Sequence, residues 1–237
     1  MATIAVYSLK GGVGKTTIAV NLAWCSAILS GRKTLLWDLD PQAAATFVLS
    51  IEAKGAAQAV FAKDQPAARL IRASAWPLLD VLPADTSLRG LDRLFDTIGK
   101  KRRMARLIER LSLGYGTIIL DCPPGLTETS EQVMRAADLI VVPVIPSPLS
   151  RRALDEVQAH LAKLLKDGAP VLPVWSMVDR RRALHRDAGE DWPTIPMASV
   201  VEQMAVRRAP LGHIAARSPA QAAVAALWQT IERRLTG

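Results

Sequence analysis

The run Lys10-Gly11-Gly12-Val13-Gly14-Lys15-Thr16-Thr17 constrains this chain more than any other segment. It follows the apolar residues 3–7, which read as a buried strand, and opens residues 17–29, which read as a helix. A strand, a glycine-rich turn and a helix in that order make a loop suited to phosphate. Gly11, Gly12 and Gly14 let the backbone turn tightly and set successive N–H groups against an anion, where any Cβ would intrude. The helix that follows aims its positive end at the same point. Lys15 is spaced to reach the outer phosphates of a nucleotide, and the Thr16 hydroxyl to hold Mg²⁺ while the metal keeps several waters. Thr17 falls beside the innermost phosphate. Ser8 stands where the common form of the loop has its first glycine, and a second lysine, Lys10, stands at the front.

Further apolar runs at residues 34–37, 79–82, 117–121, 139–144 and 171–176, with a short one at 194–196, alternate with helical patterns. Leu88, Leu91, Leu94, Phe95 and Ile98 keep helical spacing, as do Leu154, Val157, Leu161, Leu164 and Leu165. This alternation predicts an α/β fold with a mostly parallel central sheet and helices on both faces. A length of 237 residues, 50% of them hydrophobic, suffices for a sizeable core, and residues 1–237 read as one domain. No internal repeat or low-complexity segment interrupts it. Residues 99–103 read as an exposed break between two helices, and residues 180–192 as a mobile surface loop.

Carboxylates stand at two strand ends. Asp38 and Asp40 close the second apolar run, two residues apart and so expected on one face, turned toward Mg²⁺ and an attacking water. Asp121 follows Ile118-Ile119-Leu120, a continuous apolar run of the kind that fills a buried parallel strand. Ligands bind at the carboxyl ends of such strands. An isolated aspartate there is commonly a helix cap, and only the joint spacing of the motifs favours a site.

Together these segments resemble the ParA/MinD superfamily of deviant Walker A ATPases, and its ParA branch most closely. Leu35-Leu36-Trp37-Asp38-Leu39-Asp40-Pro41-Gln42 resembles the family's Walker A′ motif, and residues 117–125 its Walker B and switch II segment. Ile195-Pro196 followed by Val201-Glu202 resembles the late element near the adenine pocket. The likeness runs from residue 3 to about residue 212. It implies a P-loop NTPase fold and Mg²⁺-dependent hydrolysis of ATP. It implies that Lys10, Lys15, Asp38 and Asp40 are catalytic, that Thr16, Asp38 and Asp121 serve the metal, and that residues 10–17 with Met177 and Pro196 hold the nucleotide. In this family two subunits face each other across ATP, and each Lys10 would cross to the partner's phosphates, as an arginine finger does. Asp38 would orient water, and Asp40 would support the metal's water shell or couple to the partner. Ser176 and Met177 stand where the family often has an asparagine that reads adenine. Met177 and Pro196 then contact the base through apolar surface, or Met177 belongs to the core.

Thirty Lys and Arg against 22 Asp and Glu give a net charge of +8, more cation than a nucleotide needs. The excess fits a polyanion, most simply DNA bound without sequence preference. Relatives bind the nucleoid through basic residues toward the C-terminal part, which puts Arg207, Arg208, Arg217, Arg233 and Arg234 first. Residues 100–103, Arg151, Arg152 and residues 180–182 are further basic candidates, and any single pair is also compatible with a solvated face. Release by a ParB-like or other adaptor that stimulates hydrolysis is implied by the family.

No run reaches about 18 consecutive apolar residues, so no membrane span is expected. No signal peptide and no preceding helix-turn-helix domain is expected either, since the first strand begins at residue 3. A cytoplasmic protein is expected, and the resemblance implies that it associates with the nucleoid. Cys25 and Cys122 read as buried reduced thiols, and their placement argues against the cysteine pair of a nitrogenase-reductase-like iron–sulfur protein. Val224, Leu227, Trp228, Ile231 and Leu235 form an apolar stripe near the C-terminal end. Packed on the core, the stripe suits a ParA-like protein; laid on a lipid surface, it suits the competing reading, a MinD-like ATPase for division-site or cell-pole placement.

Overall fold

A computed structural model describes residues 1–53, 57–62, 67–98, 102–165, 169–186, 189 and 191–236. Among these residues eight strands form one sheet: β1 (Ala2–Val6), β2 (Thr34–Asp38), β3 (Arg72–Ala73), β4 (Leu79–Leu82), β5 (Thr117–Asp121), β6 (Leu139–Val144), β7 (Val171–Val178) and β8 (Thr194–Pro196). Their order is β3-β4-β2-β5-β1-β6-β7-β8. Every pairing is parallel except that of β3 with β4. The antiparallel edge strand is only two residues long, too short to leave a periodic signal in the sequence.

The central strands are apolar because both their faces are covered. On β1, Ile4 and Val6 pack into one core while Ala5 and Tyr7, the residue after the strand, pack into the other; Leu36 and Ile119 join the first, Leu35, Ile118 and Leu120 the second. The first core is closed by α1 (Lys15–Trp24), α2 (Ala44–Val48), α9 (Ser199–Arg207), α10 (Leu211–Ile214) and α11 (Pro219–Thr236). The second is closed by α3 (Ala59–Ala62), α4 (Leu91–Ile98), α5 (Arg103–Leu111), α6 (Glu128–Met134) and α7 (Pro148–Leu164). A short α8 (Ala183–Arg186) follows β7. Residues 99–101 of the expected helix break lie outside the described residues, as do residues 187, 188 and 190 of the expected surface loop.

The helix after the glycine loop is the keystone of the first core. Its residues from Ile18 to Trp24 are all buried, and it continues through a π-turn, Cys25–Leu29, before Gly31 turns the chain at φ 61°. Asn21, fully buried, donates to the Thr17 carbonyl at 2.7 Å and to Met204 Sδ at 3.2 Å, and accepts from the Leu211 amide at 2.8 Å. One amide thus ties α1 to α9 and α10, because a buried polar group without partners would cost about 1–3 kcal/mol. Close packing continues at Gly212, where an added Cβ would overlap the six-membered ring of Trp24. Gly212→Ala is expected to destabilise the protein by about 3 kcal/mol through overpacking. For a chain of this size a thermal melt should show the midpoint fall by about 8 °C.

Helix α11 buries its stripe. Val224, Leu227, Trp228 and Ile231 are inaccessible, Leu235 packs at the edge of the same core, and Trp228 Nε1 donates to Ser30 Oγ at 2.8 Å. Glu232 on its flank pairs with Arg32 at 3.1 Å. Both cysteines are free and buried, as their apolar settings imply. Among the described residues no helix is long and apolar enough to cross a membrane.

Candidate nucleotide site

The loop after β1 emerges at the centre of the sheet, between the carboxyl ends of β5 and β6, the place where a parallel sheet offers a crevice. Gly12 and Gly14 adopt φ 72° and 89°, a backbone region that side chains disfavour. Gly14 is doubly required, because a Cβ there would lie 3.0 Å from Ser176 Oγ. Ser176 in turn donates to the Val13 carbonyl at 2.8 Å, stitching β7 to the loop. Gly11 and Gly12 face open space: apart from their chain neighbours, no atom of the described residues lies within 4 Å of where a Cβ would stand. Lys15 begins α1, and its Nζ donates to the Lys10 carbonyl at 2.9 Å across the loop. Burial lowers its pKa from the usual lysine value, while Asp121 and Asp40 work against that shift. Lys10 lies at the front of the loop, half-buried, its amide bonded to Ser8 Oγ at 3.3 Å.

Strand β2 ends at Asp38, so Asp38 and Asp40 do not share a strand face as their spacing implied. Asp40 lies in the following turn, accepting from the Gln42 amide at 2.9 Å, while its carbonyl accepts from Ala43. The carboxylates that stand side by side are Asp38 and Asp121, register partners on β2 and β5, on the face covered by α1. Both are fully buried. Asp38 accepts from the Thr46 amide at 2.9 Å and hydroxyl at 2.7 Å, and from the Asp40 amide at 3.2 Å. Burial outweighs these bonds and lifts its pKa to about 6. Asp121 is raised further, first by burial and then by Asp38, with the nearby Thr16 hydroxyl opposing. Among the described residues neither of its carboxylate oxygens has a hydrogen-bonding partner.

A buried carboxylate without partners, beside a hydroxyl and a lysine, is a costly arrangement that a cation would relieve. The donors are all oxygen. Among the described residues no three His, Cys, Asp or Glu side chains converge on one point, so no all-protein cage is formed. One hydroxyl, a nearby carboxylate and open room for water and phosphate fit Mg²⁺, which keeps most of its own water.

Beside the loop an apolar cleft is lined by Gly14, Thr17, Ile18, Ser176, Met177, Ile195, Pro196, Met197, Ala198, Val201 and Glu202. The structure therefore brings Met177 and Pro196 together with the phosphate loop, and Met177 does so at φ 56°, an unusual angle for its residue type. Two residues of the site, Tyr7 and Thr46, lacked a sequence signal, and Ser176 had one only as the replacement for an asparagine. Tyr7, inaccessible, donates to the Gly125 carbonyl at 2.9 Å and so pins the segment after Asp121, with burial pushing its pKa to about 12. Thr46 acts through two hydrogen bonds to Asp38 and one from the Ala84 amide, and Ser176 through its bond to Val13. Of the basic candidates, Arg207 and Arg208 end α9, Arg217 precedes α11, and Arg233 and Arg234 lie in its last turn; all five are exposed. Arg151 is not a simple surface charge, since its guanidinium lies 5.0 Å from the ring centres of both Trp175 and Trp192.

A family model described as an AAA domain, AAA_31, matches residues 1–172. Sporulation initiation inhibitor protein Soj of Bacillus subtilis is 40% identical over 145 residues, 60% of this chain and 57% of Soj. The chain belongs to the ParA/MinD superfamily. Among ParA-like relatives, chromosome partitioning protein ParA of Myxococcus xanthus is 32% identical over 169 residues, 70% of this chain and 59% of that protein. The chain thus spans somewhat over half the length of these relatives. Apo McdA of Cyanothece superposes with a TM-score of 0.80 at 23% identity, over 97% of this chain and 98% of that one. MinD of Pyrococcus horikoshii with Mg-ADP superposes with a TM-score of 0.81 at 23% identity, over 100% and 97%. These likenesses show the fold.

Proposed function

We propose that this ParA/MinD superfamily member is a Mg²⁺-dependent ATPase that dimerises around ATP, binds DNA without sequence preference and positions a cargo on the nucleoid. The observation that carries the reading is the meeting of the Lys10 to Thr17 loop with the partnerless carboxylate of Asp121 and an apolar cleft. Soj and ParA relatives are named for sporulation control and chromosome partitioning, which supports a positioning role. The metal, when bound, supplies positive charge that offsets charge building on the transferred phosphoryl group. The chain's own residues do the rest. Backbone amides of Gly12 to Thr17 face the phosphates, Lys15 exchanges the Lys10 carbonyl for a phosphate oxygen, and the Thr16 hydroxyl and Asp121 hold the metal and its water. Met177 and Pro196 pack on the base. Asp38 and Asp40 form the acidic wall next to the attacking water, and Lys10 crosses to the partner's phosphates.

Exposed apolar side chains around the mouth of the site support a second copy as the lid. Leu126 follows β5 and is 43% exposed; Leu149 begins α7 and is 67% exposed. An adaptor protein would complete the switch by stimulating hydrolysis and releasing monomers. The burial of its stripe leaves α11 itself no free apolar face for a lipid surface, which supports the nucleoid reading of this helix. Purified protein should hydrolyse ATP slowly with Mg²⁺, below about one turnover per second as befits a switch awaiting its partner. Phosphate release should stop with a chelator. Turnover unaffected by chelation would sink the assignment.

A further inference from the structure

Between α2, the turn before β4, the end of α9 and α10 lies a cleft of about 510 Å³. Its lining includes Ser50, Trp76, Arg207, Arg208 and His213 and, among the described residues, no acidic one. It stands on the flank of the first core, away from the phosphate loop, and no step of ATP hydrolysis uses it. Trp76 and His213 meet edge to face, with ring centres 6.0 Å apart. The Arg208 guanidinium lies 4.0 Å from the centre of the Phe47 ring, which is 49% exposed on α2. Arg208 closes α9 at φ 49° and ψ 53°, the left-handed region that a non-glycine residue adopts at a cost. Two arginines, a histidine and an aromatic wall, with no carboxylate among the described lining residues, suit an anion. Arg217 lies exposed just beyond Ile214, another lining residue, so cation continues past the cleft, as a chain of phosphates requires and a single small anion does not.

The cleft is also tied to the nucleotide site. Phe47 adjoins Thr46, whose amide and hydroxyl both bond to Asp38. Thr46 Oγ1 further accepts from the Ala84 amide at 3.0 Å, so α2 is clamped between the end of β2 and the segment after β4. The carboxylate that stands beside Asp121 thus sets the helix on which the Arg208 guanidinium rests.

We propose that this cleft is a DNA-phosphate site, with Arg208 as its central cation, Phe47 as the positioning residue for Arg208, and α2 as the link by which the nucleotide site adjusts it. The proposal rests on the DNA-binding reading above and gives it a location and a regulator. Guanidinium stacked on an aromatic ring is pre-oriented for bidentate contact with a phosphate. Each phosphate contact made by a cation adds close to one unit to the dependence of log affinity on log salt.

The test is fluorescence anisotropy of a labelled DNA duplex of random sequence, titrated with the full chain plus Mg²⁺ and a non-hydrolysable ATP analogue over a range of salt. Arg208→Ala should weaken binding about tenfold and flatten the salt slope by about one unit. Arg110→Ala, which removes the same charge from an exposed position on α5, should leave both near wild type. Phe47→Ala should weaken binding while keeping the slope, and Phe47→Tyr should restore it. Trp76→Phe should abolish a DNA-induced change in tryptophan emission. Wild-type affinity for the nucleotide-bound protein should exceed that with ADP, and Thr46→Val should shrink the difference. If the wild type binds DNA and Arg208→Ala matches it in affinity and slope, the cleft assignment is overturned while the DNA-binding reading stands. If the wild type does not bind DNA at any salt, both fall. Equal or tighter binding of polyglutamate would replace DNA with an acidic protein segment and overturn the proposal. Survival of the ATP-to-ADP difference in Thr46→Val would overturn the link through α2.

Discussion

Lys10→Ala protein should bind ATP and Mg²⁺ yet remain monomeric, and its hydrolysis should fall about a thousandfold relative to the wild type. The magnitude follows from what a cation supplied from a second subunit contributes to phosphoryl transfer, about 10³ to 10⁵ in rate for an arginine finger. Lys10 suits that role by position. It sits at the front of the loop, half-buried, and its carbonyl, not its ammonium group, is what Lys15 uses within the chain. Lys15→Ala provides the contrast, because it removes the cation that serves its own subunit's nucleotide and should lose ATP binding as well as turnover. A nucleotide-binding titration alongside phosphate release separates the two. Full turnover by Lys10→Ala would end the trans role.

The second large effect is expected at Asp121, where stability and activity should move in opposite directions. Its carboxylate is inaccessible, lacks protein partners and stands beside Asp38, so the folded protein disfavours its charge. A carboxyl whose pKa is raised by folding contributes fully below its unfolded value, near 3.8, and that contribution is lost as pH rises toward the folded value. The ligand-free wild type should therefore weaken from about pH 4 upward, with Asp38 adding to the loss up to its folded pKa of about 6. Asp121→Asn removes the charge. With chelator at neutral pH it should be stabilised by about 2 kcal/mol, and its melting midpoint should rise by about 5 °C. The advantage should vanish near pH 4. With Mg-ATP the order should reverse, since the wild type gains ligand stabilisation that the variant cannot, and hydrolysis by the variant should drop by about a hundredfold or more. Scanning calorimetry across pH, with and without Mg-ATP, reads every arm. A variant less stable than wild type at neutral pH without ligand would contradict the buried-charge account.

Much of the architecture was legible because it rests on local patterns. Continuous apolar runs such as Ile118-Ile119-Leu120 betray strands covered on both faces: the expected strands 79–82, 117–121, 139–144 and 194–196 coincide with observed ones, and the other three differ by one or two residues at an end. The phosphate loop was legible for a different reason, since glycine spacing reports backbone angles directly, as Gly12 and Gly14 illustrate. Pairings across the sheet were not. Nothing in the spacing of Asp38 and Asp40 reveals that β2 stops at Asp38 and that its carboxylate neighbours Asp121, because that depends on register between strands distant in sequence. The same holds for Tyr7 on Gly125 and for Asn21 on α10, single hydrogen bonds that no periodicity announces. Helix α11 was ambiguous in sequence, as an apolar stripe serves a lipid surface or a core equally; the register of Trp228 against Ser30 and the burial of Ile231 decide its place in this fold.

Analytical ultracentrifugation of the wild-type chain tests the central claim most directly. With Mg²⁺ and a non-hydrolysable ATP analogue the sedimentation coefficient should shift from monomer to dimer, and with ADP it should return to monomer. A boundary that stays monomeric in the analogue at concentrations that saturate the site would contradict the account.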